Sequence, residues 1–192
     1  MGKDIDILKV ITHADGGEEY ARNATKYPAN EYCVGLKGYG VDCNDPDTAK
    51  MQFESVAKFH GNEGKNQFIH FMMSFLTKTA PDAKTSLGIT DQVLEPLKDE
   101  YQILIGNHQK HRGSSDFHTH GFVGTTNLET GKMLHANNKL NYAIAQRMAD
   151  VIQKPVELVI EKKKPGQNAP HDTDDVKKND DFTRVFYPHK PK

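Results

Sequence analysis

Three histidines, His108, His118 and His120, have the types and spacing to do metal chemistry. Residues 117–125, FHTHGFVGT, are rich in aromatic and β-branched side chains and predict a strand. On a strand, side chains two apart share a face, so His118 and His120 stand side by side with Cα atoms about 7 Å apart. Residues 101–106, YQILIG, predict a second strand. If the two strands pair as a hairpin, His108 falls near the strand end and approaches the other two. Three imidazoles on one cation leave coordination positions open, which is the arrangement of a catalytic rather than a closed structural site. Imidazole suits Zn, Mn, Fe, Co or Ni, so the donors alone do not choose the metal. The bland alternative is a chance His-x-His on a half-polar strand. His13, His60, His135, His171 and His189 read as surface or loop residues. His70 lies in an apolar run and reads as a core histidine or as support for the site.

Several predicted elements must hold these residues. A strand over residues 5–12 is followed by a short helix from about residue 18 that carries Tyr20 and Asn23 and stops at Pro28. Residues 29–45, rich in Gly, Asn and Asp, predict a loop. Asp45-Pro46-Asp47-Thr48 is a helix start, with a capping acid and proline in the first turn, and that helix runs to about His60 before Gly61. Residues 67–75, QFIHFMMSF, predict a buried strand. Residues 86–97 predict a helix, 107–115 a polar loop, 138–153 an amphipathic helix and 156–160 a short last strand. From residue 161 onward the chain reads as a polar linker or flexible tail containing one apolar island, residues 182–187.

The 192 residues suit one domain over 1–160 plus this tail over 161–192. Lys and Arg total 25 against 26 Asp and Glu, so the chain is not a polycationic nucleic-acid coat, although a locally basic groove remains compatible with that balance. No apolar run of about 18 residues exists to span a membrane. The two cysteines do not make a disulfide framework, and the expected compartment is the cytoplasm.

Four stretches together resemble the relaxase/mobilization nuclease family, the MobP-type relaxases among the HUH endonucleases. Gly16-Gly-Glu-Glu-Tyr20 with Asn23 is similar to the stretch that holds the nucleophilic tyrosine. Asn44-Asp-Pro-Asp-Thr-Ala49 resembles the element CDPETA. Gln67, His70, Ser74 and Phe75 match QxxHxxxSF. His118-Thr-His120 with Asn127-Leu-Glu-Thr-Gly-Lys132, continued by His135-Ala-Asn-Asn-Lys139, resembles the HxH segment and its sequel. The likeness runs from about residue 8 to residue 160. Lys110 stands where the family has an acid, the loop between His108 and His118 is longer, and Asp116 and Gly124 replace a histidine and an asparagine. His111, in that loop, competes with His108 as third ligand.

The resemblance implies an α/β (α+β) HUH fold, a mainly antiparallel central sheet with helices packed on it. It implies an enzyme that nicks and rejoins one DNA strand at an origin of transfer through a phosphotyrosine intermediate, in conjugative plasmid or transposon mobilization. In that role Tyr20 is the expected nucleophile, ahead of Tyr27. His108, His118 and His120 are expected to hold Mn2+ or Mg2+, with Zn2+ a further option. His13, Asp15, His70, His111 and Asp116 are supporting candidates, and Lys110, Arg112, Lys132 and Lys139 are candidates for DNA contact. The implied partners are single-stranded or hairpin origin DNA, accessory relaxosome proteins and a coupling protein, in a bacterial cytoplasm and without a membrane. A rolling-circle replication initiator shares this chemistry but usually places its tyrosine after the histidine motif. A non-catalytic metal-containing DNA-binding module is the alternative of a different class, and a hydrolase of small substrates a more distant one.

Overall fold

The computed structural model describes residues 5–13, 18–111, 113, 116–163 and 182–190. Seven strands form one sheet: β1 (Asp6–His13), β2 (Cys33–Tyr39), β3 (Phe68–Ser74), β4 (Ile103–Gln109), β5 (Phe117–Gly124), β6 (Val156–Lys163) and β7 (Phe182–Phe186). Their order is β2-β4-β5-β3-β1-β6-β7, and every neighbouring pair is antiparallel except β1 with β6. The α-helices among the described residues are α1 (Glu18–Lys26), α2 (Pro46–Phe59), α3 (Ala83–Leu94) and α4 (Asn138–Ile152). This is the mixed α+β, mostly antiparallel architecture expected from the sequence.

Alternation along the strands divides the packing. Leu8, Val10, Ile69, Phe71, Met73, Ile103, Ile105, Val123 and Leu158 point to one face and pack against Val93 and Leu94 of α3 and Ile144, Ala145 and Met148 of α4. Phe68, Leu104 and Phe122 point to the other face and pack against Tyr20, Ala21 and Ala24 of α1 and Ala49 and Phe53 of α2. Covering both faces explains why β3, FIHFMMS, is buried at every position and reads as a continuous apolar run. The helices start where short polar side chains satisfy free amides: Asp45 accepts from the Asp47 N–H, Asp82 from Thr85 and Asn137 from Leu140.

The structure departs from the sequence reading in four places. Residues 33–39, expected as loop, form the edge strand β2; its glycines give no strand signal, and its pairing with β4 supplies the hydrogen bonds. The polar residues Asn107 and His108, expected in a loop, belong to β4. The third helix starts at Ala83, three residues early, because Asp82 caps it, and it ends in a 3-10 turn at Glu95–Leu97 around Pro96. β6 runs on to Lys163, and the apolar island docks on it as β7. Most of the expected linker, residues 164–181, lies outside the described residues.

One charged pair is buried on the sheet face that carries Phe68 and Phe122. Lys9 Nζ lies 2.5 Å from Glu161 Oε2, with side chains only 1% and 3% exposed. Losing one member strands the other charge in a place without water. Lys9→Met is therefore expected to cost about 3–5 kcal/mol in urea unfolding, and Lys9→Met combined with Glu161→Leu to recover most of it.

Candidate active site

Two facing strands bring the three histidines together. In the β4–β5 ladder His108 and His118 are direct Cα partners, and His120 faces Gly106. His118 and His120 share a face because they are two apart, and His108 joins it because partners across a ladder point the same way. The third histidine of the group thus comes from within β4, and not from the loop beyond it. One ring nitrogen from each of the three lies within 4.8 Å of the other two. All three side chains are buried, His118 being the most accessible at 7%.

The hydrogen bonds sort out which nitrogens remain for a ligand. His108 Nε2 lies 2.9 Å from the Pro28 carbonyl oxygen. A carbonyl only accepts, so Nε2 carries the proton and the neutral ring keeps its lone pair at Nδ1. His120 Nδ1 lies 2.8 Å from His70 Nε2. With the His120 proton on Nδ1, His70 accepts and Nε2 of His120 holds the free lone pair. That Nε2 is buried and has no hydrogen-bond partner in the structure. A buried acceptor left bare in this way fits a position for a cation. Burial lowers the pKa of His108 below the ordinary imidazole value, and the carbonyls of Pro28 and Tyr27 offset part of that. His120 lies well below that value, first through burial and then through the neighbouring imidazoles of His70, His118 and His108. Both are therefore neutral at neutral pH, which is the state a metal needs.

Among the described residues, the tyrosine whose ring lies against these histidines is Tyr27. It opens a 3-10 turn, Tyr27–Ala29, between α1 and β2. Its ring centroid is 5.2 Å from that of His108 and 4.8 Å from that of His120, edge-on to both. Tyr20, the expected nucleophile, is placed differently. It sits two turns earlier on α1, 4% exposed, with its ring edge-on to Phe68 in the apolar layer between α1, α2 and the sheet. Burial pushes its phenol far above the ordinary tyrosine value. The signal that would have favoured Tyr27 is local: it is followed by Pro28, which ends the helix and turns the chain over the sheet.

A family model described as "Relaxase: MobA/VirD2-like, nuclease domain" matches residues 20–158, well over half of the chain. The chain belongs to the relaxase family. No curated protein and no solved structure matches it. Membership makes this a nuclease domain of DNA mobilization, a DNA-nicking enzyme. Among the described residues no helix is long and apolar enough to cross a membrane.

Of the other residues singled out in this relaxase domain, His70 joins the site and most of the rest are dispersed. His70 stacks on Phe122, ring centroids 4.2 Å apart, and so holds its edge toward His120. His111 is exposed and is not one of the three grouped histidines. Asp116 is exposed and accepts from the Thr77 hydroxyl at 2.9 Å. Lys110 lies at the histidine end of the sheet, where its N–H bonds the Asp116 carbonyl. Lys132 follows the turn at the opposite end of β5, and Lys139 starts α4 on the opposite face of the sheet. Asp15, Arg112 and the side chain of His13 lie outside the described residues.

Proposed function

We propose that this domain cuts and reseals one DNA strand at an origin of transfer, with Tyr27 as nucleophile and His108, His118 and His120 as metal ligands. The observation that carries the reading is the Tyr27 ring lying edge-on to two of three grouped imidazoles. The Tyr27 oxygen attacks the scissile phosphorus, its O–P bond forms, and the bond to the 3′ oxygen breaks. The phenol loses its proton and the departing 3′ oxygen gains one. The DNA 5′ end is left on the tyrosine, and the reverse reaction rejoins the strand. His108, His118 and His120 would hold a divalent cation, Mn2+ or Mg2+ first and Zn2+ as a further candidate, which when bound would polarise the non-bridging phosphate oxygens. His70 orients the His120 ring, and Lys110, which directly follows β4 at its histidine end, is the candidate cation to meet phosphate. Buried Tyr20 supports the α1–α2 layer in this reading. The conjugative setting, with relaxosome partners and a coupling protein in a bacterial cytoplasm, belongs to the same proposal.

The test incubates the protein with end-labelled oligonucleotides tiling the origin of transfer and Mn2+, and looks for a covalent adduct on a denaturing gel. An adduct that vanishes with chelator supports the proposal. Tight binding without an adduct on any tile overturns it in favour of a non-catalytic DNA-binding module. Removing the His70 contact should loosen the ligand ring that it orients. His70→Ala is expected to weaken Mn2+ binding by about 10–100-fold in calorimetric titration, with the fold intact by circular dichroism.

A further inference from the structure

We propose that Gly106 is a positioning residue for the nucleophile: the missing side chain lets the Tyr27–Pro28 turn settle on β4, and His108 latches the turn there. The proposal rests on Tyr27 being the nucleophile and says what sets its place. Gly106 lies in β4 as the Cα partner of His120 and two residues before His108, so it shares the face of the histidines. Its backbone is ordinary strand, which any residue adopts, so the need for glycine is one of space. A Cβ built at 106 would lie 2.6 Å from Cα, Cβ and O of Pro28. None of these is the free end of a flexible side chain. Two belong to the backbone, and the third is in a ring with a fixed φ. The His108 Nε2–H then ties the same residue down through its carbonyl at 2.9 Å. One imidazole thereby offers Nδ1 to the cation position and holds the nucleophile's turn with Nε2. A methyl group at 106 must lift Pro28 by about 1 Å to reach normal carbon contact. That displacement stretches the His108 bond and carries the adjoining Tyr27 ring away from His108 and His120.

Gly121 provides the comparison. It is one strand over on the opposite face, where an added Cβ would meet Leu94 Cδ1, the end of a flexible side chain, at 2.7 Å and the Phe71 carbonyl oxygen at an ordinary contact distance of 3.6 Å. The experiment measures single-turnover adduct formation with the tiled oligonucleotides. It also records broadening of the Tyr27 ring resonances by bound Mn2+. Gly106→Ala is expected to slow adduct formation about 100-fold, the effect of a 1 Å misplacement. DNA and Mn2+ affinities should stay near wild type, and the Tyr27 broadening should weaken. Gly121→Ala should change neither the rate nor the broadening. Pro28→Gly, which frees the turn without a clash, should slow the reaction with Mn2+ affinity unchanged. A wild-type rate in both Gly106→Ala and Pro28→Gly overturns the proposal. So does an equal loss in Gly121→Ala, or a Tyr27 ring that Mn2+ does not broaden in the wild type. An adduct that survives Tyr27→Phe overturns the nucleophile assignment instead, while the broadening still reports whether Gly106 places that ring.

Discussion

Tyr27→Phe is expected to abolish the covalent protein–DNA adduct, whereas Tyr20→Phe is expected to form it at a rate near wild type. The physical difference between the two phenols is access. For the Tyr20 oxygen to reach phosphate, α1 would have to leave the layer in which Ala21 and Ala24 pack with Phe53 and Phe68. Burial also raises its phenol above the ordinary tyrosine value, which disfavours the phenolate further. Tyr27 needs no such rearrangement. It is half-buried at a turn, with the His108 and His120 rings against it. A phenol is a weak nucleophile near neutral pH, and a neighbouring cation is one of the few ways to change that. The measurement is the adduct on a denaturing gel, with peptide mapping of the modified tyrosine. An adduct lost in Tyr20→Phe and kept in Tyr27→Phe would return the role to Tyr20.

His120→Ala is expected to weaken Mn2+ binding by more than about 100-fold, beyond the range for groups that only orient a ligand. Nicking should fall by about 10²–10⁴-fold, the worth of several kcal/mol of charge stabilisation. His120 is the most informative of the three because its Nε2 is buried and bare while its Nδ1 is already committed to His70. Chelator should reproduce the loss in the wild type and add little in the variant. Burial keeps this ring neutral below the ordinary value of 6.5, so acid should displace the metal only at a pH lower than that for a free imidazole. Nicking unchanged in His120→Ala would sink the metal assignment.

Much of this site is written locally. His118 and His120 share a face because strands repeat every two residues, and no tertiary information is needed to say so. Asp45-Pro46 and the alternation of QFIHFMMSF likewise commit α2 and β3 from a few neighbouring residues. The order of the short motifs along the chain was enough to suggest the family that the comparison then matched over residues 20–158.

Three matters waited for the folded molecule. The third histidine depends on the register between β4 and β5, where His108 faces His118. Register is a long-range property, so the sequence left His108 and His111 open. The different settings of Tyr20 and Tyr27 depend on what α1 packs against. The two tyrosines sit seven residues apart on one short stretch, and only the Phe53–Phe68 layer buries the first while the proline turn presents the second. Gly106 reads in the sequence as the end of a strand. In three dimensions it is the space into which Pro28 fits, because contact between residues 28 and 106 exists only once the sheet has formed. Local chemistry thus determined which residue types were present and which faces they shared. Packing across the sheet decided which of them meet.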